Sequence, residues 1–142
     1  MKVCILGAGA YGLALALAFH KNNNEVIVWT KLEAEKEELA NTHQNQRALP
    51  NVRIPDDIKI TTELSCVKGT NLVILAIPIT IFRSTCLEIR DYPHNNLHYC
   101  IATKGIEKET GAFCHEILES IINTKQIAIL SGPTFANYLA NN

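Results

Sequence analysis

The amino-acid sequence predicts an α/β domain with a doubly wound, mainly parallel sheet and helices on both faces. Short apolar runs rich in β-branched residues alternate with longer amphipathic stretches along the 142 residues, which is the pattern of repeated βαβ units. Several of these runs are almost wholly apolar, as expected for parallel strands that are covered on both sides. The length fits one domain, and no internal repeat or linker divides it.

Six apolar runs are the predicted strands, and the stretches between them are the predicted helices. The strands are expected at residues 2–6, 25–29, 58–60, 72–77, 98–102 and 127–130. The helices are expected at about 11–21, 32–42, 79–90 and 110–122, with a short one near 62–67 and Thr110 as a candidate cap. The polar stretch 41–57 contains Pro50 and Pro55 and is expected to form a long irregular loop.

Composition and charge exclude several classes of protein. With 47% apolar and 19% charged residues the chain can bury a core, which argues against disorder. The net charge is -1 and no basic cluster occurs, which argues against a dedicated nucleic-acid binder but leaves an anionic small molecule as a ligand. The five cysteines form no Cys-x-x-Cys pair and the five histidines no ligand-spaced cluster. Neither a disulfide framework nor a metal site is therefore predicted.

The apolar run at residues 3–19 superficially resembles a signal peptide. Gly7, Gly9 and Gly12 interrupt its first half, whereas a signal sequence is an unbroken apolar helix. The run is also shorter than the roughly 20 residues that span a bilayer. We therefore expect reduced thiols, no transmembrane segment and a cytoplasmic location.

Residues 7–12 match the glycine pattern G-x-G-x-x-G. They follow the first predicted strand and open the first predicted helix, and the second strand completes a unit of about 30 residues, as a Rossmann-type dinucleotide-binding fold requires. Gly7 is expected to permit the tight turn, Gly9 to let the backbone approach a pyrophosphate, and Gly12 to let helix and strand pack closely. The helix N-terminus would present N–H groups and a positive dipole end to the phosphates. A structural turn without a ligand is the alternative.

The end of the second predicted strand bears on the form of a nicotinamide cofactor. Thr30 and Lys31 stand where an Asp or Glu would bind the ribose 2′-hydroxyl and repel a 2′-phosphate. A hydroxyl and a cation there favour NADPH over NADH, although Glu33 is close enough to weaken this preference. The alternative is that Lys31 is merely a solvated residue at the start of a helix.

Four segments, in this order, resemble NAD(P)-dependent glycerol-3-phosphate dehydrogenase of the bacterial type. They are the glycine turn with Ala14-Leu15-Ala16, then Val28-Trp29, then residues 102–107, and then residues 130–136. The loop from Leu49-Pro50 to Ile54-Pro55 and residues 61–64 also fit the family pattern. The resemblance covers the whole chain and implies that residues 1–142 are the NAD(P)-binding domain. It also implies a helical substrate and catalytic domain beyond residue 142.

The resemblance implies an oxidoreductase that interconverts dihydroxyacetone phosphate and sn-glycerol 3-phosphate with NAD(P)H and no metal, feeding glycerophospholipid synthesis. It places Ala10, Tyr11, Lys31 and Ala136 near the cofactor, Lys104 near both cofactor and substrate, and Gly132 and Thr134 near the substrate. Lys104 follows a predicted strand, and a cation there can polarise a carbonyl or neutralise a developing alkoxide. Phe82 would be a wall of the cofactor pocket or, equally, a core residue of its helix.

Two departures from the family pattern limit what the resemblance implies. Tyr138 stands where the family usually has a glutamate, which puts a role for that carboxylate in doubt. The helical domain would supply a second lysine, the groups that hold the substrate phosphate and a possible homodimer contact, so this chain alone is expected to bind cofactor without catalysing. The alternatives are another two-domain reductase, such as ketopantoate reductase, and a stand-alone nicotinamide-nucleotide binding module.

Overall fold

Parallel strands form one sheet in the computed structural model, which describes residues 1–94 and 96–141. The six strands of this described part are β1 (Lys2–Leu6), β2 (Glu25–Trp29), β3 (Lys59–Thr61), β4 (Leu72–Leu75), β5 (His98–Ile101) and β6 (Ile127–Ile129). Their order across the sheet is β3-β2-β1-β4-β5-β6. The chain moves outward from β1 on one side and then outward from β4 on the other, so the order reverses between β1 and β4. Sheets of this kind bind ligands in the crevice at such a reversal.

Helices cover both faces of the sheet. The described residues contain α1 (Ala10–Lys21), α2 (Glu33–Thr42), α3 (Ile79–Ile89), α4 (Cys114–Ile122), α5 (Ala136–Asn141) and a single 3-10 turn, Leu64–Val67. One core cluster contains buried residues of α1, α2 and α5, and the other contains buried residues of α3, α4 and the 3-10 turn. None of these helices is long and apolar enough to span a membrane.

β1 lies at the centre and contributes to both cores. Val3 and Ile5 belong to the cluster under α1, whereas Cys4 and Leu6 belong to the cluster under α3, because successive side chains of a strand point to opposite faces. All four are fully buried. Complete burial of an Ile or Leu side chain contributes about 1.5–3 kcal/mol, so β1 is a major source of the sheet's stability.

The strands next to β1 end at the same level. Leu6 is in register with Trp29 of β2 and with Leu75 of β4. The Gly7 N–H donates to the Trp29 carbonyl at 2.8 Å, and the Ala76 N–H donates to the Leu6 carbonyl at 2.8 Å. The segments that leave these strands therefore start from one common edge.

Some predicted boundaries differ from the structure. The strand predicted at 72–77 ends at Leu75, because residues 76–78 leave the sheet to start α3, with Pro78 as its N-cap. The helix predicted at 110–122 begins only at Cys114, and Phe113 is its N-cap. Thr110 is not the cap that the sequence suggested: its hydroxyl donates to a Glu107 carboxylate oxygen at 2.5 Å. The third strand is shifted by one residue, to Lys59–Thr61.

Candidate functional site

A cavity of about 590 Å³ lies at the carboxyl ends of β1, β2, β4 and β5. Its lining comes from residues 7–11, from residues 29–32 with Glu35, from residues 76–78 with Ile81, and from residues 102–104. The volume is within the range of about 300–1,000 Å³ that is usual for small-molecule sites. The cavity includes the point where the strand order reverses, which is the expected position for a ligand in this fold.

The three glycines of the turn have different surroundings. Gly7 has φ +122°, and a Cβ there would lie 2.4 Å from the Ala76 carbonyl oxygen. A Cβ on Gly12 would lie 1.9 Å from the Gly7 carbonyl oxygen, whereas one on Gly9 would meet no atom within 4 Å. Gly7 and Gly12 thus have the conformational and packing roles that the sequence predicted. The open space beside Gly9 is the path by which a ligand can reach the turn.

The N-terminus of α1 faces this open space. Gly9 is its N-cap and has no side chain with which to cap the first turn. The first N–H groups of a helix have no partner within the helix, and together with the helix dipole they attract an anion. Ala10 and Tyr11, two further predicted cofactor residues, line the cavity at this point.

Lys104 lies at the β5 end of the cavity lining, shortly after this strand ends at Ile101. Its side chain is exposed, and its ammonium group donates to the Leu130 carbonyl oxygen at 3.1 Å and to the Ser131 hydroxyl at 3.4 Å. The neighbouring Thr103 hydroxyl donates to the Ile77 carbonyl oxygen at 2.8 Å. These bonds hold the residues after β5 between the segments that follow β4 and β6.

The segment predicted to contact substrate lies beside the cavity. The Tyr11 hydroxyl and the Thr134 hydroxyl are 3.1 Å apart, so residue 134 is attached to the first turn of α1. Gly132 has φ +148°, and a Cβ there would meet no atom within 4 Å. Ala136 begins α5 and is partly buried against the core under α1. The structure therefore brings the segment after β6 against two parts of the site, Tyr11 in the first turn of α1 and Lys104 after β5.

An ion pair that the sequence did not reveal anchors the loop after Lys104. Arg83 of α3 donates to both carboxylate oxygens of Glu107, each at 2.7 Å, and Thr110 donates to the same carboxylate. The Arg83 guanidinium and the Thr110 hydroxyl lower the pKa of Glu107 to about 2. Such bidentate pairs fix geometry as well as charge. Arg83 is 24 positions away from Glu107, so local sequence patterns gave no sign of the pairing.

Phe82 does not line the cavity. It is fully buried in the core between α3 and the sheet, whereas the preceding residue, Ile81, contributes to the lining. The position of the side chain thus favours the second of the two interpretations, a core residue of its helix. The helix turns by about 100° per residue, and this rotation assigns the two neighbours to different surroundings.

The end of β2 also differs from what the sequence suggested. Thr30 is buried, and its hydroxyl donates to a carboxylate oxygen of Glu35 and accepts from the Leu32 N–H at 3.2 Å. Glu33, the acidic residue that the sequence placed nearest, instead accepts from Lys36 at 2.5 Å and from Thr62 at 3.0 Å. Glu35 therefore brings a carboxylate to the cavity at the end of β2, where the sequence predicted only the hydroxyl of Thr30 and the cation of Lys31. A glutamate in the first turn of the following helix was the signal for it.

The five cysteines are free thiols. The sulfur atoms of Cys4 and Cys66 are 3.3 Å apart, and the hydrogen bond from Cys4 holds the pKa of Cys66 below its usual range while the pKa of Cys4 is raised. Burial raises the pKa of Cys86 to about 12. Among residues 1–94 and 96–141, no three His, Cys, Asp or Glu side chains cluster as ligands for a metal ion.

Comparison with known proteins identifies the chain's relatives. It is 34% identical over 141 residues to glycerol-3-phosphate dehydrogenase (NAD(P)+) of Wigglesworthia glossinidia brevipalpis, covering 98% of this chain and 43% of that protein. The Fusobacterium nucleatum enzyme of the same name is 34% identical over 139 residues, covering 96% and 42% respectively. The chain thus spans less than half the length of these relatives.

Solved structures agree with these sequence matches. The crystal structure of glycerol-3-phosphate dehydrogenase from Coxiella burnetii has a TM-score of 0.91 and 25% identity, over 99% of this chain and 43% of that one. A ketopantoate reductase from Ralstonia eutropha has a TM-score of 0.68 and 20% identity, over 91% of this chain and 40% of that one, and shares the fold alone. The sequence model for the N-terminus of NAD-dependent glycerol-3-phosphate dehydrogenase matches residues 2–142, and the chain belongs to that family.

Proposed function

We propose that this chain binds a nicotinamide dinucleotide in the cavity and forms the cofactor-binding part of an enzyme that interconverts dihydroxyacetone phosphate and sn-glycerol 3-phosphate. The observation that carries the proposal is the glycine turn, whose Gly9 faces open space at the N-terminus of α1. It lies at the reversal of the strand order, where this fold binds ligands. The name of the matching family supports the substrate and the reaction.

The residues along the cavity fit the parts of such a cofactor in order. The glycine turn and the α1 N-terminus suit the pyrophosphate, and the lining at Thr30, Lys31 and Glu35 suits the adenosine ribose. This assignment leaves the lining at Thr103 and Lys104 to contact the nicotinamide end of the cofactor. When bound, the cofactor supplies or accepts the hydride.

Lys104 is the proposed catalytic residue of this chain. Its exposed ammonium group is held by a carbonyl oxygen and a hydroxyl of the segment after β6. A substrate carbonyl oxygen can replace either partner, and the cation then stabilises the negative charge that develops on that oxygen during reduction. Gly132 and Thr134, on the same segment, are the proposed substrate contacts.

The cofactor proposal covers both NADH and NADPH. The expected preference for NADPH rested on the absence of a carboxylate at the end of β2, and Glu35 supplies one there. A cytoplasmic location, a role in glycerophospholipid synthesis and a homodimer belong to the same proposal, as implications of the family.

Substitution of Lys104 by Met tests the catalytic role. We expect turnover of dihydroxyacetone phosphate by the full gene product, whatever its length, to fall by about a hundredfold or more, while calorimetry shows NADH affinity within a few-fold of wild type. Lys108→Met is the matched control, because Lys108 is an exposed lysine outside the cavity lining. Near-normal turnover of Lys104→Met would contradict the role. Cofactor binding without any turnover by the unaltered gene product would instead fit a stand-alone binding module.

A further inference from the structure

Glu35 is fixed at the end of β2 by donors on two buried residues. Thr30, which is 2% exposed, donates to Oε2 of Glu35, and Asn45, which is 3% exposed, donates from Nδ2 to Oε1 at 2.9 Å. The same Asn45 amide nitrogen is 3.3 Å from the Ala8 carbonyl oxygen in the glycine turn. The carboxylate therefore lies between the end of β2 and the middle of the glycine turn, and it lines the cavity.

This position is the one from which the fold contacts the adenosine ribose. In dinucleotide-binding domains an acidic residue at the end of the second strand accepts the ribose 2′-hydroxyl. Here that place belongs to Thr30, whose hydroxyl already donates to Glu35 and accepts from the Leu32 N–H. The Glu35 carboxylate, which is hydrogen-bonded to Thr30 and also lines the cavity, is therefore the side-chain acceptor available to a ribose hydroxyl.

We propose that Glu35 selects between the two nicotinamide cofactors, accepting a hydrogen bond from the 2′-hydroxyl of NADH and repelling the 2′-phosphate of NADPH. The chain then prefers NADH, which is the reverse of the preference expected from Thr30 and Lys31 alone. This inference rests on the proposed cofactor site.

The other charges near this end of the cavity do not outweigh Glu35. Glu33 and Lys36 pair with each other, and neither lines the cavity. Lys31 does line it but is exposed, so solvent screens its charge and its long side chain must be ordered to bind a phosphate. The Glu35 carboxylate is already ordered by its two donors and acts at short range.

Calorimetric titration of this chain with two pairs of ligands tests the proposal. The pairs are NADH with NADPH, and ADP-ribose with 2′-phospho-ADP-ribose, which differ only in the 2′-phosphate. We expect wild type to bind the unphosphorylated member of each pair about tenfold or more tightly, the effect of one charged hydrogen bond gained or lost. In Glu35→Gln the ratio should fall by about tenfold, because a neutral amide replaces the repelling charge.

Glu33→Gln is the matched control, because it makes the same change in charge two residues away on a side chain outside the cavity. It should leave both ratios within about twofold of wild type. Should Glu35→Gln fail to fold, Glu35→Ala removes the carboxylate without setting a second amide beside Asn45, and it should lower the ratios in the same way.

The outcomes separate this inference from the proposed function. Failure of wild type to bind either nicotinamide cofactor would contradict the proposed function itself. Binding of NADPH as tightly as NADH by wild type would overturn the role of Glu35 and leave the cofactor site standing. A preference for NADH that persists unchanged in a folded Glu35 variant would also overturn it.

Discussion

One added methyl group can separate the folding role of the glycine turn from its ligand-binding role. The perturbations are Gly12→Ala and Gly9→Ala, with Gly9→Val as a larger version of the second. The Cβ on residue 12 would lie 1.9 Å from the Gly7 carbonyl oxygen, whereas the Cβ on residue 9 would meet no atom within 4 Å. Gly9 has φ -69° and ψ 176°, a conformation open to any residue.

The overlap at residue 12 sets the size of the first effect. Real Cβ atoms essentially never come within 3.0 Å of such a neighbour, so the Gly7 carbonyl and α1 must separate by about 1 Å, at a cost of about 1–3 kcal/mol. The higher helix propensity of alanine returns up to about 1 kcal/mol. The middle of the cost range, about 2 kcal/mol, less this return leaves a net loss of about 1–2 kcal/mol, which lowers the melting temperature by roughly 2–8 °C in a domain of this size.

At residue 9 the expected effect is on binding. The side chain enters the space by which a pyrophosphate reaches the α1 N-terminus, so NADH affinity should fall about tenfold or more in Gly9→Val. The melting temperature of Gly9→Ala should stay within about 2 °C of wild type, because its Cβ meets no atom of the fold within 4 Å.

Two measurements on each variant decide between these roles. Thermal unfolding followed by circular dichroism gives the melting temperature, and calorimetry with NADH, well below the lowest transition, gives the affinity. Unchanged affinity in Gly9→Val would refute the site. A wild-type melting temperature in Gly12→Ala would refute the argument from close approach.

Two further predictions rest on pKa values. In the folded protein Arg83 lowers the pKa of Glu107 to about 2, from an ordinary 4.5, so this pairing stabilises the fold fully above the ordinary value and less as the pH falls toward 2. In melting curves measured across that range, Glu107→Gln should therefore lose less stability with acid than wild type, and parallel losses would contradict the assignment. For the thiols, iodoacetamide at mildly alkaline pH should alkylate Cys66 before Cys86, because the hydrogen bond from Cys4 lowers the pKa of Cys66 whereas burial raises the pKa of Cys86. Peptide mass spectrometry measures the order, and equal rates at Cys66 and Cys86 would refute it.

The elements and the glycine turn could be predicted because their determinants are contiguous in sequence. The apolar run of β1 and the pattern from Gly7 to Gly12 each occupy one short segment. The number of strands and the parallel sheet follow from repetition of such segments.

The site was less predictable where its geometry depends on contacts between residues that are far apart in sequence. Thr110 looks like a helix cap in isolation, but its hydroxyl donates to Glu107, whose position Arg83 fixes from α3. Among the acidic residues after β2, Glu35 is the one that reaches the cavity. It does so because α2 begins at Glu33 and because Asn45, in the loop after α2, donates to the Glu35 carboxylate. Neither fact is visible within a short window of sequence.

The sheet is unequally protected from one side to the other, and this has a consequence for the two halves of the cavity. β1 lies between two strands and is fully buried from Val3 to Leu6, whereas β6 is a three-residue strand at the edge whose Ile129 is 63% exposed. Local opening takes place first where burial is least, so amide exchange should be fastest in β6 and slowest in β1. Lys104 is tied to the residues just after β6, and the glycine turn follows β1. The lysine side of the crevice is therefore the part that thermal fluctuations loosen, while the side at the glycine turn keeps its shape until the whole domain unfolds.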